Sequence, residues 1–266
     1  MRVRIAAAVL AAAGFCVSLG AETNQERGKR VVNECVDALG GDRFMNMQNR
    51  EEGGRAYSFY REQLSGLSFA TIFSEYQTGV TDTTHNLAVR ERQNFGKNQD
   101  SGVLFAEKEA WEVTFRGARL LAQDRFERYK ETTLRDVFYI LRVRLKEPGM
   151  IFESRGADVL QNVPVEIVDI TDADNRTTTV YFDQVTKLPV RQRFERRDPK
   201  TRLVDEEITV YSKYREVAGV EWPYAITRER NGEKIYQIFS DRVEINRPLK
   251  PQLFELPSGM KVLKPV

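Results

Sequence analysis

The chain offers few side chains that could perform covalent or metal chemistry. It has one histidine and two cysteines among 266 residues. His85 lies in the polar segment TDTTHNLA, and one imidazole cannot supply a multi-histidine metal site. We therefore predict that His85 is a solvent-exposed loop residue. Cys35 lies on the apolar stripe of a helical segment, which predicts a buried structural thiol rather than a nucleophile.

The acidic segment DITDADNR, residues 169–176, is the next candidate for chemistry. It lacks the central glycine and the distal glutamate of a calcium loop, so we predict a turn between two strands. Phosphate-binding loops, dinucleotide fingerprints and nucleophile elbows are absent from the sequence. We therefore assign no catalytic residue, no cofactor and no metal, and expect that the protein is not an enzyme. A hydrolase that uses a pair of carboxylates is an alternative that one sequence leaves open.

Residues 1–20 have the pattern of a secretory signal peptide. Two arginines precede an apolar run over residues 5–17, and small residues follow it. We predict cleavage after Gly20 or Ala21. Phe15 precedes Cys16, which argues against attachment of a lipid to that cysteine. No later stretch approaches the roughly 20 apolar residues of a membrane helix. We therefore expect a soluble periplasmic protein without a transmembrane span.

Charge and cysteine content restrict the partners and the sources of stability. Without the two arginines of the signal peptide, 39 of the 41 basic residues remain, against 39 acidic ones. Nucleic acid is therefore a poor candidate partner, since it normally requires a basic excess. Cys35 becomes the only cysteine, so the fold depends on packing and not on a disulfide. The basic run at 191–202 is expected to be a strand that enters a solvated turn; a docking patch for an anionic membrane or partner is the alternative.

The spacing of apolar residues predicts an α+β domain over residues 21–266. Thr23-x-x-Glu26 fits a helical capping box, and Gly40-Gly41 is a typical stop. From Arg55 the period changes to two, which predicts a hairpin with a turn near residues 64–66. Helical spacing returns in the segment 132–146. Further strands are expected at 87–95, 102–106, 110–116, 151–156, 163–171, 177–183, 188–197, 204–215, 222–230 and 233–245.

About ten antiparallel strands form a sheet large enough to curl, and the helix at 132–146 is the natural cover for its concave face. Segment 56–76 carries many aromatic rings at alternate positions. They fill a core, or they line a cavity that accepts a guest. As the residues of such an acyl-binding cavity we predict Tyr57, Phe59, Phe69, Phe73, Trp111, Leu134, Phe138 and Leu141.

Two segments resemble the periplasmic outer-membrane lipoprotein-sorting family, the LolA-like carriers. They are VYFDQVTKLPVRQRFE, residues 180–195, and NRPLKPQLFELP, residues 246–257. The matching positions are Asp183, Leu188, Pro189, Asn246, Phe254, Leu256 and Pro257. The resemblance implies an unclosed, strongly curved antiparallel half-barrel, with helices over its concave side and an apolar cavity between them for acyl chains.

These observations lead to two hypotheses about function. The first is a non-catalytic periplasmic carrier or chaperone that shields the acyl chains of lipids or lipoproteins. The second is a sensor or interaction module that binds an envelope protein without transporting lipid. Because one fold can serve several functions, the fold alone does not choose between them.

Overall fold

The computed structural model describes residues 21–83, 85–106, 108–198 and 201–264. The predicted signal peptide lies outside the described residues. The architecture is one antiparallel sheet of thirteen strands, in the order β6-β5-β4-β3-β2-β1-β13-β12-β11-β10-β9-β8-β7. Nearly all neighbours are consecutive in sequence, and only the pair β1 and β13 joins the two ends of the chain. The end strands β6 and β7 do not pair with each other, so the sheet is not closed.

The strands are β1 Asn49–Tyr60, β2 Gln63–Tyr76, β3 Val89–Phe95, β4 Ser101–Phe105, β5 Ala110–Thr114, β6 Gly117–Leu120, β7 Ile151–Leu160, β8 Val163–Thr171, β9 Thr177–Asp183, β10 Pro189–Arg197, β11 Val204–Val217, β12 Val220–Arg230 and β13 Glu233–Ile245. The helices are α1 Asn24–Ala38, α2 Asp42–Met45, α3 Gln123–Leu134 and α4 Val137–Tyr139. Helix α4 continues as a π-helical turn over Ile140–Arg144, and a 3₁₀ turn covers Pro251–Phe254.

Helix α1 begins with the predicted capping box and packs across the end of the sheet. The Thr23 hydroxyl accepts from the Glu26 amide, and the Glu26 carboxylate accepts from the Thr23 amide. Gly28 allows the close approach of α1 to β7, because a Cβ there would lie 2.5 Å from the carbonyl oxygen of Phe152. The capping prediction is confirmed, and so is the burial of the Cys35 stripe.

The predicted helix over residues 132–146 is wrong in its bounds. Helix α3 begins earlier, at Gln123, and ends at Leu134, and a new helix starts after Asp136. Asp136 is the N-cap of α4, where its carboxylate accepts from the amides of Phe138 and Tyr139. By accepting from these amides, the carboxylate replaces hydrogen bonds that would continue α3 through this point. The helical backbone therefore breaks at Asp136, although the apolar spacing continues across the break.

The extent of the main core and the contacts of α3 show that the sheet is curved. One buried cluster contains Phe152 of β7 and Ile245 of β13, together with Val32 of α1 and Leu141 of the π-helical turn. Strands β7 and β13 stand six positions apart in the sheet, which is roughly 29 Å in a flat sheet at about 4.8 Å per strand. Strands β4 and β11 are also six positions apart, yet consecutive residues of α3 reach both: Tyr129 stacks on Phe105 of β4, and Arg128 lies 3.8 Å from Glu207 of β11. The sheet therefore wraps around the helices, whose side we call the inner face.

The sheet has more strands than the sequence predicted, thirteen rather than about ten. Strand β6 was not anticipated, and it lies at one edge of the sheet. The C-terminal segment covers this edge: the Ala118 amide donates to the Lys261 carbonyl over 2.9 Å, and the Leu263 amide donates to the Ala118 carbonyl over 2.8 Å. Such pairing protects an edge strand from association with other chains. Within the described residues, no helix is both long and apolar enough to span a bilayer.

Candidate ligand cavity

A cavity of about 390 Å³ lies between the inner face of the sheet and the helices α3 and α4. Its size falls within the range of about 300–1,000 Å³ that is typical of small-molecule sites. Its floor comes from strands β1–β4 and β11–β13, and its roof from α3 and the start of α4. The aromatic and aliphatic residues around it are Tyr76, Val89, Phe105, Tyr129, Phe138, Tyr139, Ile208, Tyr211, Trp222, Ile226 and Ile235.

Aromatic contacts fix the walls of the cavity. Phe138 meets Tyr211 edge-on, with ring centroids 5.1 Å apart, and lies 4.8 Å from Trp222. At the other side, Tyr129 of α3 stacks on Phe105 of β4 at 3.6 Å. Edge-on ring pairs such as Phe138 with Tyr211 stabilise by about 0.5–1.5 kcal/mol beyond their buried area. The rings of Phe138, Tyr211 and Trp222 therefore form a rigid apolar wall, and Tyr129 provides a contact between α3 and the sheet.

Charged and hydroxyl groups interrupt this apolar wall. Asp136 is deeply placed beside the cavity, and burial raises the pKa of its carboxyl, an effect that the positive charge of Arg228 partly offsets. The Tyr211 hydroxyl lies 2.8 Å from the side-chain oxygen of Gln192 and 3.3 Å from the carboxylate of Asp136, and it can donate its one hydrogen to either acceptor. Arg50 stacks on the ring of Trp222, with 4.1 Å between its guanidinium carbon and the ring centroid. The cavity is therefore amphipathic rather than purely apolar.

A second cavity of about 460 Å³ adjoins the first along the inner face. Gln93, Phe105 and Arg125 line both cavities, so the two form neighbouring parts of one depression under α3. Small side chains of the hairpin β1–β2, including Ala56 and Ser58, provide the floor of the second part. A ligand longer than one cavity therefore has a continuous path along the sheet.

Three of the predicted cavity residues lie on the inner side. Phe138 lines the cavity and is 3% exposed. Leu134 and Leu141 are buried in the neighbouring core clusters rather than in the cavity wall. All three come from the segment that was expected to cover the concave face.

The other five predicted residues lie on the opposite, outer face of the sheet. Cross-strand pairs place Phe73, Arg92, Leu104 and Trp111 in one row, whereas the alternate row contains Phe105 of the cavity. Tyr57, Phe59 and Phe69 likewise alternate with the inner residues Ala56, Ser58 and Ala70. The prediction that these rings share a wall with Phe138 is wrong, and the side chain of Phe69 is 55% exposed.

Small residues occupy the inner face of this hairpin around Ala56, whereas Tyr76 at the end of β2 lines the cavity. Ala56, Ala70 and Ile238 form a tight buried cluster there. At Gly54 a Cβ would lie 2.2 Å from the carbonyl oxygen of Phe239, at a bulge in the pairing of β1 with β13. The alternation of large and small side chains is as predicted, but the large rings lie on the outer face. The prediction placed them on the inner face because it assumed that large rings are buried. The actual turn is at Arg61 and Glu62, both with positive φ, and not at residues 64–66.

The other residues considered for chemistry have structural surroundings. The side chain of His85 is 61% exposed, and its ring lies 3.0 Å from Asp82 and 3.1 Å from Asp174. Cys35 is fully buried, and this burial raises the pKa of its thiol. Both predictions are confirmed.

Within segment 169–176, residues 172–176 form the turn between β8 and β9, as the sequence predicted. Burial alone would raise the pKa of Asp172, but hydrogen bonds from Arg144 and Arg176 outweigh it and hold that pKa below its usual value. Asp172 therefore acts as the acceptor of a buried ion-pair network that also ties the π-helical turn to the sheet.

Sequence reasoning missed the basic side of the cavity. Arg128 of α3 and Arg228 and Arg230 of β12 all line it, although none belongs to a recognisable motif. Arg228 and Arg230 are two residues apart on one strand, so their side chains lie on the same face of the sheet. This spacing is the sequence signal that could have indicated a basic side.

The fold and the site define a class of protein: an open, curved antiparallel sheet that encloses an amphipathic cavity beneath short helices. No family model matches the sequence, and no curated protein matches it either. Among solved structures, a DUF1329 family protein from Desulfovibrio piger is similar, with a TM-score of 0.59 and 13% identity over 88% of this chain and 98% of that chain.

Two further solved structures carry the names expected from the sequence resemblance. A putative outer membrane lipoprotein-sorting protein domain from Vibrio parahaemolyticus has a TM-score of 0.58 and 10% identity, over 87% of this chain and 97% of that chain. A LolA superfamily protein from Nitrosomonas europaea has a TM-score of 0.53 and 9% identity, over 85% and 96%. The chain has the fold of the LolA-like lipoprotein-sorting proteins, and the predicted resemblance is confirmed at the level of the fold.

Proposed function

We propose that the protein is a non-catalytic periplasmic carrier, with a single domain of residues 21–266 that shields the acyl chain of a lipid or lipoprotein. The observation that carries this proposal is the aromatic-walled cavity of about 390 Å³ between the sheet and its helices. The fold shared with a lipoprotein-sorting domain supports it. Apolar burial would provide the driving force for uptake, at roughly 25 cal/mol per Å² removed from water.

The construction of the roof favours reversible entry of a ligand. Helix α3 buries two of its side chains, Phe126 and Leu134, whereas α1 buries five residues. An element with few buried contacts opens locally at a lower free-energy cost than the core does. The aromatic wall, in contrast, is fixed by the contacts of Phe138 of α4 with Tyr211 and Trp222 of the sheet. A fixed wall beneath a weakly anchored helix suits a carrier, which must both take up and release its ligand.

The two tryptophans of the chain allow a direct test. Trp222 lines the cavity, whereas Trp111 lies on the outer face. A Trp111→Phe variant therefore reports from the cavity alone, and a Trp222→Phe variant reports from the outer face alone. Titration of the delipidated proteins with a fatty acid brominated in its chain should quench the emission of Trp222 in a saturable manner.

The Trp222→Phe variant, which retains only Trp111, should show no saturable quenching. Uptake into the cavity should also give a negative heat-capacity change. Quenching of Trp111 but not of Trp222 would move the ligand to the outer face and refute the cavity as the site. No saturable quenching of either tryptophan would refute the carrier proposal.

The alternative function, an interaction module for an envelope protein, draws on the outer face. Phe69 and Leu67 are 55% and 60% exposed there. The ammonium groups of Lys213 and Lys234 lie over the neighbouring rings of Phe239 and Phe59. An apolar patch with a basic rim fits a partner that presents apolar side chains among acidic ones. This alternative predicts that Phe69→Asp abolishes partner binding and leaves the quenching of Trp222 unchanged.

A further inference from the structure

Three arginine side chains converge on one carboxylate at the side of the cavity formed by α3 and strands β10–β12. The Oε1 atom of Glu207 lies 2.6 Å from Nη2 of Arg196, 3.7 Å from Nε of Arg230 and 3.8 Å from Nη1 of Arg128. Arg196 and Glu207 are largely buried, with side-chain exposures of 10% and 13%. One carboxylate thus lies opposite three guanidinium groups that come from three different elements.

The charges of this cluster are not balanced within the described residues. The next carboxylate, Asp205, lies 3.7 Å from Arg196 and already accepts a hydrogen bond from Asn231. Arg228 extends the basic surface along the same side of β12, where its backbone pairs with Thr209. Three arginines, Arg128, Arg196 and Arg230, therefore stand against the two carboxylates of Glu207 and Asp205, whereas Arg228 interacts with the charge of Asp136.

Two donors of the cluster are buried and lack a hydrogen-bond acceptor within the part of the chain that the structure describes. They are Nη1 of Arg128 and Nε of Arg230. A buried donor without an acceptor costs free energy, and each such group in a folded protein requires an explanation. Burial lowers the pKa of Arg128, and the positive charges of Arg196 and Arg230 lower it further. An additional anion at this position would satisfy the donors and reduce the repulsion.

We propose that the cluster of Arg128, Arg196 and Arg230 binds the phosphate group of an amphipathic lipid whose acyl chain occupies the cavity. The inference rests on the proposed carrier function and adds the class of head group. Guanidinium groups suit phosphate because their planar N–H pairs match its oxygens and remain charged at all physiological pH values. Arg128, Arg228 and Arg230 all border the same cavity as Phe138 and Trp222, so the head group and the chain can be bound together.

Glu207 has a definite role in this arrangement. It holds the three arginines in place without a ligand, and its negative charge opposes an incoming phosphate. The Glu207→Gln substitution should therefore strengthen phosphate binding, whereas the loss of either Arg128 or Arg230 should weaken it. A purely structural ion-pair cluster would not change the affinity for a ligand in these opposite directions.

The experiment uses calorimetry of the delipidated full chain with three related probes. They are 1-oleoyl-lysophosphatidic acid with chain and phosphate, 1-monooleoylglycerol with the chain alone, and glycerol 3-phosphate with the phosphate alone. We expect lysophosphatidic acid to bind at least about tenfold tighter than monooleoylglycerol, which corresponds to about 1.4 kcal/mol. The preference should decrease as salt increases, because the cluster is partly exposed to solvent.

Arg128→Gln and Arg230→Gln, measured separately, should each reduce severalfold the ratio of the affinity for lysophosphatidic acid to the affinity for monooleoylglycerol. Arg116→Gln, at an exposed position beside Phe115, is the matched control and should leave all affinities unchanged. Equal binding of the two oleoyl probes, or a preference that survives both substitutions, overturns the inference while the carrier function stands. Binding of neither oleoyl probe refutes the carrier function itself. Glycerol 3-phosphate binding as tightly as lysophosphatidic acid assigns the site to free phosphate esters and refutes a joint site for chain and head group.

Discussion

Replacing Phe138 by alanine removes the ring that the wall of the cavity shares with the buried core. The side chain is 3% exposed and contacts both Tyr211 and Trp222. One side of the ring also borders a cavity of about 390 Å³. Phe138→Ala therefore tests at one position whether this wall contributes to both stability and ligand uptake.

The expected loss of stability follows from these surroundings. Phe→Ala in a closed core costs about 3–5 kcal/mol, of which the transfer of the side chain accounts for about 1.5–3 kcal/mol. The remainder reflects a newly created void, and a void already exists beside Phe138. We therefore expect a loss of about 2–3 kcal/mol in the free energy of unfolding. Phe182→Ala is the matched control, because Phe182 is 1% exposed in the same core and does not line the cavity. It should cost about 3–5 kcal/mol.

Urea denaturation of the delipidated proteins measures both values, provided that the slope with denaturant stays constant. Calorimetry with 1-monooleoylglycerol should show about tenfold weaker binding for Phe138→Ala, or about 1.4 kcal/mol, because the chain loses an apolar contact. Phe182→Ala should bind like the unmodified protein. If the two substitutions cost equal stability and neither changes the affinity, Phe138 is an ordinary core residue and the reasoning about the wall is wrong.

Three further predictions concern the network, the charge and the mobility around the cavity. Arg144→Met should lower the free energy of unfolding by about 3–5 kcal/mol, as measured in urea, because it removes a main ion-pair partner of the buried Asp172; a loss below 1 kcal/mol would contradict it. Arg228→Gln should raise the pKa of Asp136 further, because it removes a positive charge that favours the ionised carboxylate; an NMR titration measures this pKa. Since burial already raises this pKa in the folded state, ionisation of Asp136 reduces stability as the pH rises, and in the variant this loss should continue to higher pH. An unchanged pKa would show that the two charges do not interact. Hydrogen exchange should be faster in α3 than in α1, and an acyl ligand should slow it in α3; equal protection without ligand would refute the weakly anchored roof.

Much of the fold could be predicted because local signals and tertiary structure agree in most segments. The strands at 163–171, 177–183 and 233–245 have the predicted bounds, and the turn at 172–176 was recognised from its polar residues. The capping box at Thr23 is a short-range hydrogen-bond pattern, so it does not depend on distant contacts. Strand β6 is short and covered by the C-terminal segment, so it depends on contacts that period and propensity do not describe.

The position of the cavity could not be predicted, since period-two alternation defines two faces without stating which one is inside. The rings of Tyr57 and Phe69 do share a face, but the curvature of the sheet brings small residues such as Ala56 to the inner side. The basic cluster around Glu207 was missed for a related reason. Its members come from α3, β10, β11 and β12, and only the sheet register and the path of α3 bring them together.

Native mass spectrometry of the protein isolated from the cells that produce it tests the central proposal most directly. The carrier function predicts a population whose mass exceeds that of the polypeptide by one lipid, and this lipid should leave when the protein is delipidated. It also predicts that the added mass returns on incubation with an acyl lipid. A protein that carries no lipid when isolated, and acquires none from acyl lipids while folded, would contradict the carrier function and favour the binding of an envelope protein.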